Sequence, residues 1–299
     1  MNRPTVGSRG SQLALWQARW VASQLPGAEI TVIKTSGDKI TDVPLARAGG
    51  TKGLFIKEIE EALLEGRIDL AVHSLKDMPA EIDPRLVIAA VPTRQDPRDA
   101  LAGRRLSELS CGAKVGTSSL RRAAQLRHLR RDLQVEELRG NVDTRLRKLD
   151  EGRYDAIVLA AAGLDRLSLD GRIAERLDPE VMCPAIGQGA LAIETRADDA
   201  DTRRLLAPLD DPTARAETSA ERALLEALGA GCQLPVAGWA RLTGDRLRLM
   251  AVVASPDGAE LVRVALDGPA SDPAGLGRRT AESLFRRGAD RILRQVYAS

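Results

Sequence analysis

Short apolar runs alternate with stretches whose apolar positions recur every three or four residues along the first half of the chain. The runs predict strands at 4–7, 29–35, 68–75 and 86–91, and the longer period predicts helices at 11–25 and 56–64. The first helix would place Leu13, Trp16, Trp20 and Val21 on one stripe, and the second stops at Gly66, a residue suited to a left-handed cap. The run at 68–75 is almost wholly apolar, which predicts burial on both faces of a largely parallel sheet. A second series follows, with strands at 113–116, 134–138 and 154–160 and helices at 119–131 and 142–151, then a short helical stretch. Repeated strand–helix units predict an α/β architecture with helices on both sheet faces.

Pro92-Thr93-Arg94-Gln95-Asp96-Pro97 reads as a crossover between two lobes, and Pro184-Ala185-Ile186-Gly187-Gln188-Gly189 as the return into an apolar strand at 190–194. A chain that leaves one lobe and comes back predicts two α/β lobes facing each other across a cleft. The first lobe is assigned 1–92 and 190–209, and the second 98–184. Beyond Asp210-Asp211-Pro212 the pattern changes. One strong helix (214–228) precedes strands at 236–242, 247–254 and 260–266 and a final helix at 276–296. Pro256-Asp257-Gly258 supplies a hairpin turn between the last two strands. Residues 213–299 are therefore expected to form a small α+β domain with an antiparallel sheet. A length of 299 residues accommodates two or three domains.

Composition narrows the class. With three Trp, two Tyr and two Phe, the cores must be aliphatic. The net charge of +2 is too small to argue for a polyanion partner, and the basic run Arg127-His128-Leu129-Arg130-Arg131 has no neighbouring aromatics for base stacking. No nucleic acid is expected. The longest apolar run, 156–164, is about half of what a spanning helix needs, and no signal-peptide core follows Met1. Cys111, Cys183 and Cys232 are too widely spaced for a disulfide framework or a paired metal motif. The expectation is a cytoplasmic protein with reduced thiols, no membrane segment and no metal.

Candidate chemistry gathers where strands lead into helices, the positions at which α/β sheets bind ligands. Three such junctions are basic: Gly7-Ser8-Arg9-Gly10-Ser11, Gly116-Thr117-Ser118-Ser119-Leu120-Arg121-Arg122, and Leu138-Arg139-Gly140-Asn141-Val142 with Arg145 one turn later. Cations in a first helical turn oppose the helix dipole, so Arg121 and Arg122 call for an anion. Singly, each arginine reads as a surface charge; together they suit a ligand with several carboxylates. Asp77, at the end of the strand in His73-Ser74-Leu75-Lys76-Asp77-Met78-Pro79, is either a proton-transfer carboxylate or half of a Lys–Asp pair in a loop. His73 reads as a hydrogen-bonded core residue. Cys232, in Gly231-Cys232-Gln233-Leu234-Pro235, is either an attachment point or an incidental loop thiol. Gly49-Gly50-Thr51-Lys52-Gly53 lacks phosphate-loop spacing and reads as a mobile lid. On the residues alone, a two-lobed solute-binding module stays open as an alternative to an enzyme.

Taken in order, these segments, with Leu13-Ala14-Leu15-Trp16-Gln17, Gly53-Leu54-Phe55, Asp96-Pro97-Arg98-Asp99-Ala100 and Gly187-Gln188-Gly189-Ala190, resemble the porphobilinogen deaminase (hydroxymethylbilane synthase) family from residue 8 to 235. The resemblance implies two periplasmic-binding-protein-like lobes, the second inserted in the first, and a monomeric transferase acting on the small molecule porphobilinogen. It implies a dipyrromethane cofactor attached by a thioether to Cys232 and held by Lys76, Asp77, Thr117, Ser118, Ser119, Arg121, Arg122 and Arg145. It implies that Arg9, Ser11, Gln17, Phe55, Arg139, Gly140, Asn141, Arg145, Arg166 and Gln188 bind the substrate or growing chain. Asp77 would be the catalytic acid, assisting ammonia loss and stabilising cationic pyrrole intermediates.

Overall fold

A computed structural model describes residues 3–35, 56–229 and 234–298. Phe55, the 49–53 glycine segment and Cys232 lie outside the described residues. The chain divides into two compact units, Met1–Arg94 with Ala190–Arg215, and Gln95–Gly189 with Ala216–Ser299.

The first unit is built on strands β1 (Thr5–Ser8), β2 (Glu29–Val32), β3 (Leu70–Ser74), β4 (Leu86–Ala90) and β10 (Leu191–Arg196), in the order β2-β1-β3-β10-β4. β1 runs parallel to β2 and β3, whereas β10 lies antiparallel between β3 and β4. The sheet is thus mixed rather than largely parallel, because the returning chain enters against the direction of its neighbours. Helix α1 (Gln12–Ser23) buries Gln17, Ala18 and Val21, while Leu13, Trp16 and Trp20 are only half-buried. The buried stripe is rotated from the apolar one because the Gln17 amide turns inward and donates to Ser74 Oγ at 2.9 Å. Helix α2 (Lys57–Leu64) packs Ile59, Ala62 and Leu63 with Ile68 and Ala71. Val6, Val21, Leu70, Val72 and Ile193 form a separate cluster. His73 is indeed a core residue, with Nε2 3.1 Å from Glu194 Oε2.

The second unit holds two sheets. In one, β7 (Gln134–Glu136), β6 (Lys114–Gly116), β8 (Ala156–Ala160), β5 (Asp99–Gly103) and β9 (Ile173–Arg176) lie in that order. β6 is parallel to β7 and β8; β5 is antiparallel to β8 and β9. Helices α3 (Leu120–Leu129), α4 (Val142–Asp150) and α5 (Ala161–Arg166) follow β6, β7 and β8. The other sheet, β11 (Val236–Thr243), β12 (Arg246–Ala254) and β13 (Leu261–Pro269), is an antiparallel meander. After α6 (Ala200–Leu206) in the first unit come α7 (Pro212–Ala227), α8 (Pro273–Arg286) and α9 (Ala289–Ala298). The single final helix expected from the sequence is two, broken at Gly288, whose φ of +91° no helix tolerates.

Side chains join the two sheets of this unit. Arg127 and His128 at the end of α3 reach Pro256 O at 2.7 Å and Gly258 O at 2.9 Å in the β12–β13 hairpin. Buried Glu221 of α7 accepts from Gly187 N at 2.7 Å and from Ala240 N at 2.8 Å. Among the described residues no helix is long and apolar enough to cross a membrane.

Candidate active site

The candidate residues fall into one group in each unit. In the first, Ser11 caps α1, its Oγ accepting from Ala14 N at 3.3 Å. Gln17 is buried against Ser74, the last residue of β3. The strand then tightens into a 3-10 turn, Leu75–Asp77, with Leu75 N–H bonded to Ala190 O at 3.1 Å. Leu75 and Met78 point into the core, leaving Lys76 half-buried and Asp77 exposed. Alternation of apolar and polar positions through this turn places a carboxyl at the carboxyl edge of a buried strand. Arg9 stands at the end of β1, half-buried.

In the second unit the anion demanded by Arg121 and Arg122 is found within the protein. Asp99, fully buried at the start of β5, accepts Arg121 Nη1 at 2.6 Å and Nη2 at 3.1 Å, and Arg122 Nε at 2.9 Å. Arg121 also donates to Cys183 O at 2.7 Å and Arg122 to Val158 O at 3.0 Å. Gln188 bridges the group, donating to Asp99 Oδ1 at 3.0 Å and Pro97 O at 2.6 Å. Burial alone would raise the Asp99 pKa, but the fields of Arg121 and Arg122 outweigh it and hold the carboxyl well below the usual range.

Next in the chain to Gln188, Gly189 O accepts Arg166 Nη2 at 2.8 Å. Arg166 is 6% exposed, and its Nε is buried with no hydrogen-bond partner. Burial lowers its pKa to about 10, so it remains cationic at neutral pH. A buried cation with an orphaned donor is costly unless an anion completes it. No acidic side chain forms a salt bridge with Arg166 among the described residues, so this spot suits a ligand carboxylate.

A further cluster joins the two remaining junctions. Arg145 donates Nε–H to Gly140 O at 2.7 Å and Nη2–H to Ser118 Oγ at 3.4 Å. Gly140 has φ +113°, and a Cβ there would meet the Thr144 side chain at 2.7 Å. Asn141 precedes α4, and Arg139 is paired with Glu137 at 2.6 Å. Thr117 and Ser119 organise the start of α3: Thr117 Oγ1 accepts from Ser119 N at 3.2 Å and Ser119 Oγ from Arg122 N at 3.4 Å. Sequence reasoning missed Asp99 as a member of the site. Its only local signal is an acid opening the apolar run Ala100-Leu101-Ala102.

A profile described as porphobilinogen deaminase, dipyromethane cofactor binding domain, matches residues 5–204, and one described as porphobilinogen deaminase, C-terminal domain, matches residues 216–286. The chain belongs to the porphobilinogen deaminase family. Relatives of that name agree along almost the whole length: one from Syntrophotalea carbinolica is 52% identical over 96% of this chain and 94% of its own. Another, from Roseiflexus castenholzii, is 54% identical over 98% of this chain and 99% of its own. Among solved structures, a Salmonella typhimurium periplasmic binding protein with high arginine specificity aligns with a TM-score of 0.37 and 12% identity, covering 70% of this chain and 92% of its own. Porphobilinogen deaminase membership assigns the first profile to both five-stranded sheets and the second to the three-stranded sheet with most of its helices.

Proposed function

We propose that this chain deaminates four porphobilinogen molecules and condenses them head to tail into linear hydroxymethylbilane, on a dipyrromethane primer bound through a thioether to Cys232. The reading is carried by the buried, unpartnered Nε of Arg166 beside the Arg121–Arg122–Gln188 cluster. Each porphobilinogen ring bears two carboxylates, the ligand chemistry that buried guanidinium groups recognise.

The second unit offers an open donor of the kind such a cofactor or its substrate needs, the buried Nε of Arg166. Lys76, Thr117, Ser118, Ser119, Arg121, Arg122 and Arg145 would hold the cofactor's acetate and propionate groups, and Cys232 its anchor. Bound there, it would supply the nucleophilic pyrrole carbon on which the chain is extended. Arg9, Ser11, Gln17, Phe55, Arg139, Gly140, Asn141, Arg145, Arg166 and Gln188 bind and orient substrate carboxylates and ring nitrogens. Asp77 gives a proton to the departing ammonia as the carbon–nitrogen bond breaks, and its carboxylate then offsets the positive charge left on the pyrrole. As each carbon–carbon bond forms, the proton released from the pyrrole carbon returns to the Asp77 carboxylate, and after four additions water cleaves off the product and supplies its hydroxyl. We infer a cytoplasmic monomer as the working form, in keeping with the unpaired Cys111 and Cys183.

Intact mass tests the covalent claim. The purified protein is expected to exceed its sequence mass by two deaminated substrate units, and Cys232→Ser to match its sequence mass. An unmodified chain with full activity would refute it. Asp77→Asn is expected to fold and load normally yet turn over almost no substrate, and a native rate would remove Asp77 from the chemistry.

A further inference from the structure

The buried His73–Glu194 pair takes no part in the chemistry above. Glu194 is fully buried, its Oε2 3.1 Å from His73 Nε2, and its Oε1 is buried with no hydrogen-bond partner. Pairing of β3 with β10 sets Ala192 opposite His73 and Glu194 opposite Ala71, so the contact runs diagonally across the two strands. A buried carboxyl with a single partner is a poor source of stability. Exchanging such a pair for apolar side chains of similar size is often neutral or stabilising. Stability alone does not explain the pair.

Its place in the fold offers another explanation. His73 is the penultimate residue of β3, and Ser74, the last, leads at once into the Leu75–Asp77 turn. Successive side chains leave a strand on opposite faces. His73 is therefore tied to Glu194 on one face, and Ser74 to Gln17 on the other. Beyond them, the turn is bonded to the return strand's approach by Leu75 N–H to Ala190 O. The exposed carboxyl of Asp77 hangs from these three ties.

We propose that His73 and Glu194 are positioning residues for Asp77: their hydrogen bond locks the end of β3 onto β10 and fixes where the Asp77 carboxyl stands. This rests on the reading of Asp77 as the acid. The hydrogen bond needs one proton between Nε2 and Oε2, and it holds whichever atom carries that proton.

The test compares the native enzyme with the double variant His73→Leu/Glu194→Leu, with Glu194→Leu, with Glu194→Gln and with Asp77→Asn. Melting temperature, intact mass and steady-state kinetics are measured for each. The double variant is expected to melt close to native and to carry the cofactor mass. Its kcat should fall about 100-fold, the order lost when a reacting group moves by about 1 Å, with KM changed by less than about threefold. Glu194→Gln keeps an acceptor for the imidazole N–H and should recover most of the rate, an outcome that a purely structural pair would not give. Native kcat in the folded, loaded double variant overturns the proposal, as does a loss confined to KM. Should the double variant not fold, Glu194→Leu alone decides on the same criteria. If Asp77→Asn turns over at the native rate, the acid assignment fails and the positioning role falls with it. If Asp77→Asn is inactive while the leucine variants run at native rate, only the positioning role fails.

Discussion

Asp99 Oδ1 accepts Arg122 Nε–H at 2.9 Å, so the cation in the first turn of α3 is neutralised from a strand 23 residues earlier. The same carboxylate holds Arg121, at 2.6 Å.

Replacing Asp99 by Leu leaves two buried guanidinium groups without that carboxylate. The expected loss is about 3–5 kcal/mol, the cost of breaking a buried pair from one side, read from urea unfolding. Its folded pKa is depressed, so the stabilisation is complete above the unfolded value of about 4 and is lost as pH falls below it. Unfolding free energy measured from pH 6 down to 3 should therefore drop less steeply in Asp99→Asn than in the native protein.

Arg166→Gln removes a buried charge whose Nε lacks an acceptor. Its unfolding midpoint is expected to stay level or rise. Turnover should fall by tenfold or more, since a hydrogen bond to a charged group contributes about 1.5–3 kcal/mol. A loss of stability together with native turnover would mean that Arg166 serves only Gly189.

Much of this was legible in the hydrophobic pattern. Helices α1 to α4 and the strands leading into them stand where short apolar runs alternate with longer-period stretches. β5 and β9 do not. Asp99-Ala-Leu-Ala-Gly is short and small-sided, and Ile173-Ala-Glu-Arg is a half-buried edge strand with no apolar run. The direction of β10 was equally hidden, since pairing partners lie more than a hundred residues apart. For the site, the arginines were visible as types but their acceptor was not. Asp99 and Glu194 acquire their roles only through contacts across the sheet.

Glu60 on α2 holds its proton more tightly than an ordinary glutamate. Burial first, then the nearby Glu194, raises its pKa from 4.5 to about 6. Such a group favours the folded state fully below about 4.5, and that contribution is lost as pH rises through about 6. Glu60→Gln is accordingly expected to melt higher than native at pH 8 and to match it at pH 4. A constant difference across that range would show that the carboxyl does not titrate there.

Gly258 has φ +72°, and a Cβ on it would lie 2.6 Å from His128 N and 2.8 Å from Ala124 O, both backbone atoms that cannot move aside cheaply. Gly66, at φ +70°, has nothing within 4 Å. Gly66→Ala should cost only the left-handed backbone penalty of about 1–2 kcal/mol. Gly258→Ala should cost clearly more by the same urea titration, because it also pushes the hairpin off α3.

Glu221 serves the loop at Gly187 with one carboxylate oxygen and the strand at Ala240 with the other. Cys183, beside that loop, is enclosed by Ala237, Met250 and Val252, and its thiol is pushed up to about 12 by burial. The three-stranded sheet therefore cannot be handled as a detachable cassette. Excising it together with α7, or swapping both for a relative's, would strip the loop that carries Gln188 of its acceptor, and losing the sheet alone would wet the Cys183 thiol. Recombination between family members should succeed only where both sides of that seam are inherited together.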